Sequence, residues 1–144
     1  MSVIEFCIQH EVAPKQGDRV RVIQSKGKAF ATHYTPAKVK NNARSLAALM
    51  EPHKPPMPLE GPLRVSLRFD YPWRAGESQK ARNGGARPKD TRPDWDNLCK
   101  NVADVMQASG FYLNDAQLAD VRVTKCWTGQ VALHVRLEKI SDFP

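Results

Sequence analysis

The chain has 144 residues, the size of one ordinary domain, and its 41% hydrophobic and 26% charged residues describe a folded soluble protein rather than a disordered one. No apolar run approaches the roughly 18 residues of a membrane span, Met1 to Glu5 lack a basic-then-apolar signal pattern, and Cys7, Cys99 and Cys126 form no C-x-x-C pair. A disulfide framework and a zinc site are therefore disfavoured, and a reduced cytoplasm is the expected compartment. The net charge of +7 is concentrated, with seven Lys or Arg against one Asp in residues 15–40 and six against two in residues 72–93. Two basic segments on a slightly acidic remainder point to a polyanion, nucleic acid first, with charge kept for solubility as the alternative.

In chain order, Val3 to Val12 is rich in β-formers, and Arg19-Val20-Arg21-Val22 alternates with period two. Lys26-Gly27-Lys28 reads as a turn, with Phe30 to Tyr34 returning as a short strand. Thr35 as N-cap and Pro36 at the first helical position predict a helix through Met50, with Val39, Leu46, Leu49 and Met50 on its apolar face. Five prolines in residues 52–62 exclude helix and central strand there. Leu63 to Tyr71 alternates Leu63, Val65, Leu67 and Phe69 with Arg64, Ser66, Arg68 and Asp70, the pattern of a strand buried on one face. Residues 72–93 lose periodicity, so they read as a basic, mobile loop that orders on its ligand.

A second helix is predicted from Asp94 to Ser109, stopped by Gly110, with Leu98, Val102, Val105 and Met106 as its stripe. Leu118 to Trp127 and Val131 to Leu137 read as strands joined at Thr128-Gly129. The expectation is a single α+β domain over residues 1–144, a small mixed β-sheet with two main helices packed on one side. No G-x-G-x-x-G, G-K-[ST] or G-x-S-x-G motif is present, which disfavours nucleotide-binding folds and serine hydrolases.

The stretch Arg92-Pro93-Asp94-Trp95-Asp96-Asn97-Leu98 places two carboxylates two residues apart where a basic loop meets a helix. In one reading Asp94 caps the helix and Asp96 sits in its first turn, favoured by the helix dipole by about 0.3–1 kcal/mol. In the other they share a Mg²⁺ ion. Inside a helix, residues i and i+2 point about 200° apart, but across an N-cap Asp94 keeps extended dihedrals and the two can converge.

Asn114-Asp115 is ordinary turn chemistry, or Asp115 is a third carboxylate if its strand starts beside the start of the helix. Three hard oxygen ligands suit Mg²⁺, which activates water and neutralises charge on a phosphodiester under attack. Arg82, Arg87, Lys89 and Arg92 around such a cluster give the profile of a nuclease with its DNA-binding rim. Lys100 either pairs with Asp96 at i,i+4 or meets a phosphate. Asp104 reads as solvated, Asp120 as a surface partner of Arg122 or Lys125, and the four histidines as surface or strand residues. Trp73, Trp95 and Trp127 are packing residues or base-stacking platforms.

The run Arg92-Pro93-Asp94-Trp95-Asp96-Asn97-Leu98-x-Lys100, with Gly110-Phe111-Tyr112-Leu113-Asn114-Asp115-Ala116-Gln117 and Val121-Arg122-Val123-x-Lys125, resembles the RusA family of Holliday-junction resolvases, commonly encoded by prophages. The likeness covers roughly residues 62–138, and Pro14-Lys15 and Tyr34-Thr35-Pro36 look like members of the same wider family. The resemblance implies a RusA-like fold in which Asp94, Asp96 and Asp115 bind Mg²⁺, or Mn²⁺, and support phosphodiester hydrolysis. It implies a phosphate-facing Lys100, and a homodimer acting on four-way DNA junctions in recombination and repair. A C₂ dimer would match the near two-fold symmetry of such a junction. Relatives often carry two acidic residues where this chain has Asn114-Asp115, and an asparagine brings no charge to a metal. The alternatives are a branched-DNA-binding protein without catalysis and a protein-binding domain whose carboxylates are caps.

Overall fold

The elements run β1 (Val3–Ile8), β2 (Arg19–Ser25), β3 (Lys28–Tyr34), α1 (Ala37–Met50), β4 (Leu63–Tyr71), α2 (Gln79–Asn83), β5 (Arg87–Pro88), α3 (Trp95–Ser109), β6 (Leu118–Trp127) and β7 (Ala132–Lys139), with 3-10 turns at Glu51–His53 and Asp115–Gln117. These come from a computed structural model, which describes residues 3–15, 19–34 and 36–144. Five strands form a mixed sheet in the order β1-β7-β4-β6-β5, and β2 and β3 form a separate two-stranded ribbon. The class is α+β, as the alternation and the two amphipathic helices lead one to expect.

The period-two pattern makes β4 the centre of the sheet. Leu63, Val65, Leu67, Phe69 and Tyr71 are buried, while Arg64, Ser66 and Arg68 point to the other face. β7 pairs with it antiparallel and β6 pairs with it parallel. Parallel neighbours need a crossover, and α3 supplies it. Leu98, Val102, Val105 and Met106 of α3 are buried with Leu46 and Met50 of α1 in one apolar cluster over the sheet. Each such side chain contributes about 1.5–3 kcal/mol relative to exposure. Gly110 ends α3 in the left-handed region at φ 92°, which glycine adopts without a Cβ clash.

Three local expectations change. Pro36 is the N-cap of α1 rather than its first helical residue, and Thr35 lies outside the described residues. Leu49 is 41% exposed, so the apolar face of α1 is narrower than its sequence suggests. Residues 72–93 are folded: Ser78 caps α2 through its side chain, β5 pairs with β6, and the Lys89 amide donates to the Lys125 carbonyl at 2.9 Å. Lys89 and Arg74 lie over the Trp127 ring, and Arg87 pairs with Glu77 of the loop itself.

Candidate active site

The entrance of α3 is held from two sides. Lys125 Nζ on β6 donates to the carbonyls of Thr91 and Pro93, each at 2.8 Å, immediately before Asp94. On the other side, the strap that leaves β1 is tied down by two asparagines. The Ala13 amide donates to Asn42 Oδ1 at 3.0 Å, and Asn42 Nδ2 donates to the Glu11 carbonyl at 2.8 Å. Buried Asn101 donates to the Ala13 carbonyl at 2.8 Å and to Asn42 Oδ1 at 3.1 Å. A buried amide left without these partners would cost about 1–3 kcal/mol, so the strap's path is strongly specified. Lys15 continues the clamp, its amide donating to the Asn97 carbonyl at 3.0 Å and its ammonium pairing with Asp104.

Strap and helix entrance enclose an open cleft of about 490 Å³, lined by Glu11, Pro14, Lys38, Arg92, Asp94 and Asn97 among others. Asp94 holds the N-cap position with extended dihedrals, φ −69° and ψ 140°, yet its side chain makes no capping hydrogen bond. Asp96 stands exposed in the first turn, outside the lining of the cleft. Neither carboxylate has a hydrogen bond or ion pair among the described residues, and Lys100, exposed one turn on, does not pair with Asp96. The helix entrance therefore carries two uncommitted carboxylates and one uncommitted ammonium.

Asp115 lies elsewhere. Its amide donates to Gln107 Oε1 at 2.7 Å, which fixes it beside the last third of α3, about 16 Å along the axis from Asp96 at 1.5 Å per residue. β6 then runs back along α3 and reaches its entrance only at Lys125. The condition for three carboxylates to meet, a strand starting beside the start of the helix, is not fulfilled within one chain. Among the described residues no group of three or more His, Cys, Asp or Glu is placed to hold a metal. Asn114 accepts from the Ala116 amide at 2.8 Å, so its carbonyl oxygen is occupied as a cap.

The four basic residues named from the sequence fall into three environments. Arg82 and Arg92 carry no partner role in the loop's packing, and Arg82 is exposed with Arg92 beside the cleft. Arg87 is half-buried, pairs with Glu77 and lies 5.9 Å from the Trp73 ring centre. Lys89 is buried, with Nζ 3.8 Å from the Trp127 ring centre and 4.8 Å from that of Tyr71, and donating to Thr91 Oγ1 at 2.7 Å. Burial, aided by the charges of Lys125 and Arg74, holds its pKa below the usual lysine value. Lys89 therefore holds the loop against the sheet. Trp95 is 58% exposed between the two aspartates.

Asp120 pairs chiefly with Arg64 at 2.6 Å and more distantly with Arg122 at 3.6 Å, and Lys125 is not its partner. Asp104 is paired with Lys15 rather than merely solvated. Glu11, Lys38, Asn42, Asn101 and Lys125 also belong to the site, and the sequence does not mark the first four. Only Lys125 carried a signal, its place in the motif that follows Asp115.

The family described as endodeoxyribonuclease RusA matches residues 11–138. No curated protein matches the chain. The matched region takes in the strap, α1, the folded basic loop, α3, the 3-10 turn with Asp115 and all of β6, leaving out β1 and the last residues. Among the described residues no helix is long and apolar enough to cross a membrane.

Proposed function

The chain belongs to the RusA family of endodeoxyribonucleases, and from that premise we propose that it is a Mg²⁺-dependent nuclease that resolves four-way DNA junctions as a homodimer. The observation that carries this reading is the state of Asp94 and Asp96. Asp94 occupies an N-cap without capping, and neither residue is spent on a neutralising partner among the described residues. Two hard, uncommitted carboxylates suit Mg²⁺ or Mn²⁺, which tolerate few protein ligands and fill their octahedron with water and phosphate oxygens. A divalent ion held there supplies an activated water and neutralises charge on the scissile phosphate.

The chain's own residues do the rest. Lys100, one turn along α3, is free to meet a phosphate oxygen, and Arg82 and Arg92 follow the backbone. Lys125, Asn42 and Asn101 keep the entrance of α3 in place. Asp115 sits at the far end of α3, so we assign it to the site of a second copy related by a two-fold axis. Such a dimer places two sites on opposed strands of a near-symmetric junction, which is what paired nicks require. A role in recombination and repair follows from that substrate.

The test is nicking of a synthetic four-way junction in Mg²⁺. Asp96→Asn should lose cutting by about 10²-fold or more, the scale of removing one group that stabilises transition-state charge, while retaining binding. Asp115→Asn should behave alike. Mixing the two inactive variants should restore nicking of one strand if each site draws on two chains. Recovery of none would mean that Asp96 and Asp115 of one chain serve the same site, and an Asp115→Asn variant that still cuts would place Asp115 outside it.

A second reading, a junction-binding protein that does not cut, is favoured by the lack of a three-carboxylate cluster within the described residues. It predicts native binding, steeply salt-dependent, without any Mg²⁺-dependent nicks.

A further inference from the structure

Among the described residues the ribbon of β2 and β3 packs chiefly on itself. Val20 to Ala31 are exposed throughout, including Val22 at 68%, Val20 at 56% and Phe30 at 53%. An isolated two-stranded hairpin is marginal in water, so a sequence that keeps large apolar side chains on one implies a surface that covers them. At 3.3–3.4 Å per residue the ribbon is about 20 Å long. The described residues on either side of it lie at the candidate site. Pro14 and Lys38 line the cleft that holds Asp94, and the Lys15 amide binds Asn97.

The register sorts its side chains. Arg21 pairs with Thr32, Ile23 with Phe30 and Ser25 with Lys28, all on one face by the strand alternation, with Tyr34 beneath Arg21 at 5.1 Å. Val20, Val22, Ala31 and His33 share the other. The first face thus carries an apolar pair, Ile23 and Phe30, between a cation toward the root and a cation at the tip. Residues 19–34 contain four Lys or Arg and no Asp or Glu.

We propose that this hairpin is a DNA-contacting arm that grips the branch point, with Ile23 and Phe30 against the base pair exposed at the crossover and Arg21, Lys26 and Lys28 on the flanking phosphates. The proposal rests on the reading of the chain as a branched-DNA nuclease and adds a surface separate from the basic loop. Charge decides the occupant. A ribbon with four cations and no acid is matched better by a polyanion than by a second copy of a chain that carries +7 overall, and a polyanion with accessible apolar base faces satisfies both kinds of side chain. Apolar wedges that enter base steps beside phosphate-bound cations are a known way for proteins to seize deformable DNA. A junction offers such a face without the cost of unstacking a continuous duplex.

The test uses the full chain with Ca²⁺ in place of Mg²⁺, so that binding is read without cutting, on a junction carrying 2-aminopurine beside the crossover. Native protein should raise the probe's fluorescence as it binds. The double variant Ile23→Ser, Phe30→Ala should lose that rise and about 10-fold in junction affinity, the scale of one stacked base, while duplex affinity changes less than about twofold. Arg21→Gln with Lys28→Gln should weaken binding to both DNAs and reduce the salt slope by about one to two.

Unchanged affinity, salt slope and fluorescence in both variants would overturn the arm while leaving the nuclease reading intact. A shift in oligomeric state by sedimentation would also overturn it and assign the ribbon to a second copy. If native protein binds no DNA, the functional reading itself falls and the arm falls with it.

Discussion

The two basic segments are alike in composition and differ in every physical respect. Residues 72–93 lie against the sheet, with Lys89 enclosed by Tyr71 and Trp127, Arg74 at 5.4 Å from the Trp127 ring centre, Arg87 over Trp73, and β5 hydrogen-bonded to β6. The ribbon of β2 and β3 carries a similar density of cations, but among its described residues only Arg21 meets an aromatic ring, Tyr34 of its own ribbon. In sequence the loop reads as mobile, because it lacks periodicity and has three glycines. The ribbon reads as regular, because it alternates. What separates the two is whether distant aromatic rings receive the cations, and periodicity alone does not report that.

The largest effect that would break this contrast is expected at Gly129. It adopts φ 91°, and a Cβ there would lie 2.6 Å from Trp73 Nε1. Gly129→Ala should cost about 2–4 kcal/mol from the left-handed backbone and the clash together. Urea unfolding should show it as a lower midpoint at an unchanged slope. Trypsin should then cut residues 72–93 about as readily as the ribbon, whereas in native protein the ribbon is cut first.

Lys89→Ala comes next, at about 1–3 kcal/mol, from the lost cation–π contacts and stem packing. Thermal unfolding would check it. No change in midpoint would mean that the aromatic enclosure holds nothing.

The smallest effect concerns acid. Burial pushes the Asp70 carboxyl up, but hydrogen bonds from Arg68, His134 and Cys126 outweigh it and hold the pKa below the usual aspartate value. A group depressed in the folded state stabilises above the unfolded value, near 3.9, and that contribution is lost as pH falls from there through the folded value. Cys126 is also the partner of Pro88 in β5, so acidification should loosen the docked loop first. The ribbon contains no acid and should not respond. Asp70→Asn should flatten the decline of the unfolding midpoint below about pH 4.

Much of the framework was legible in the chain. The limits of β4 and β6 follow from alternation and flanking turn residues, and α3 follows from its stripe and from Gly110. What was hidden is relational. Nothing local says that Lys89 will find two rings contributed by β4 and β6, or that Asn42 and Asn101 will join to clamp Ala13. The separation of Asp115 from Asp94 and Asp96 was hidden in the same way. α3 spans about 22 Å, and the bond from the Asp115 amide to Gln107 Oε1 keeps Asp115 beside its far end. The resemblance implied three carboxylates at one ion, but no local pattern announces that contact with Gln107. Asp94 as an unspent N-cap was not legible either, since capping is the ordinary fate of aspartate at that position.

β1 is paired along its length with β7, Val3 opposite Glu138 and Ile8 opposite Leu133. On a ribosome working at about 5–20 residues per second, the segment Val3–Ile8 waits roughly 7–26 seconds before its mate exists. During that interval it is a short, apolar, β-prone stretch with an open edge, the kind that recruits other nascent chains. Glu5, its one charged residue and the later partner of Arg136 at 3.0 Å, is then the natural gatekeeper, more valuable during synthesis than in the finished sheet.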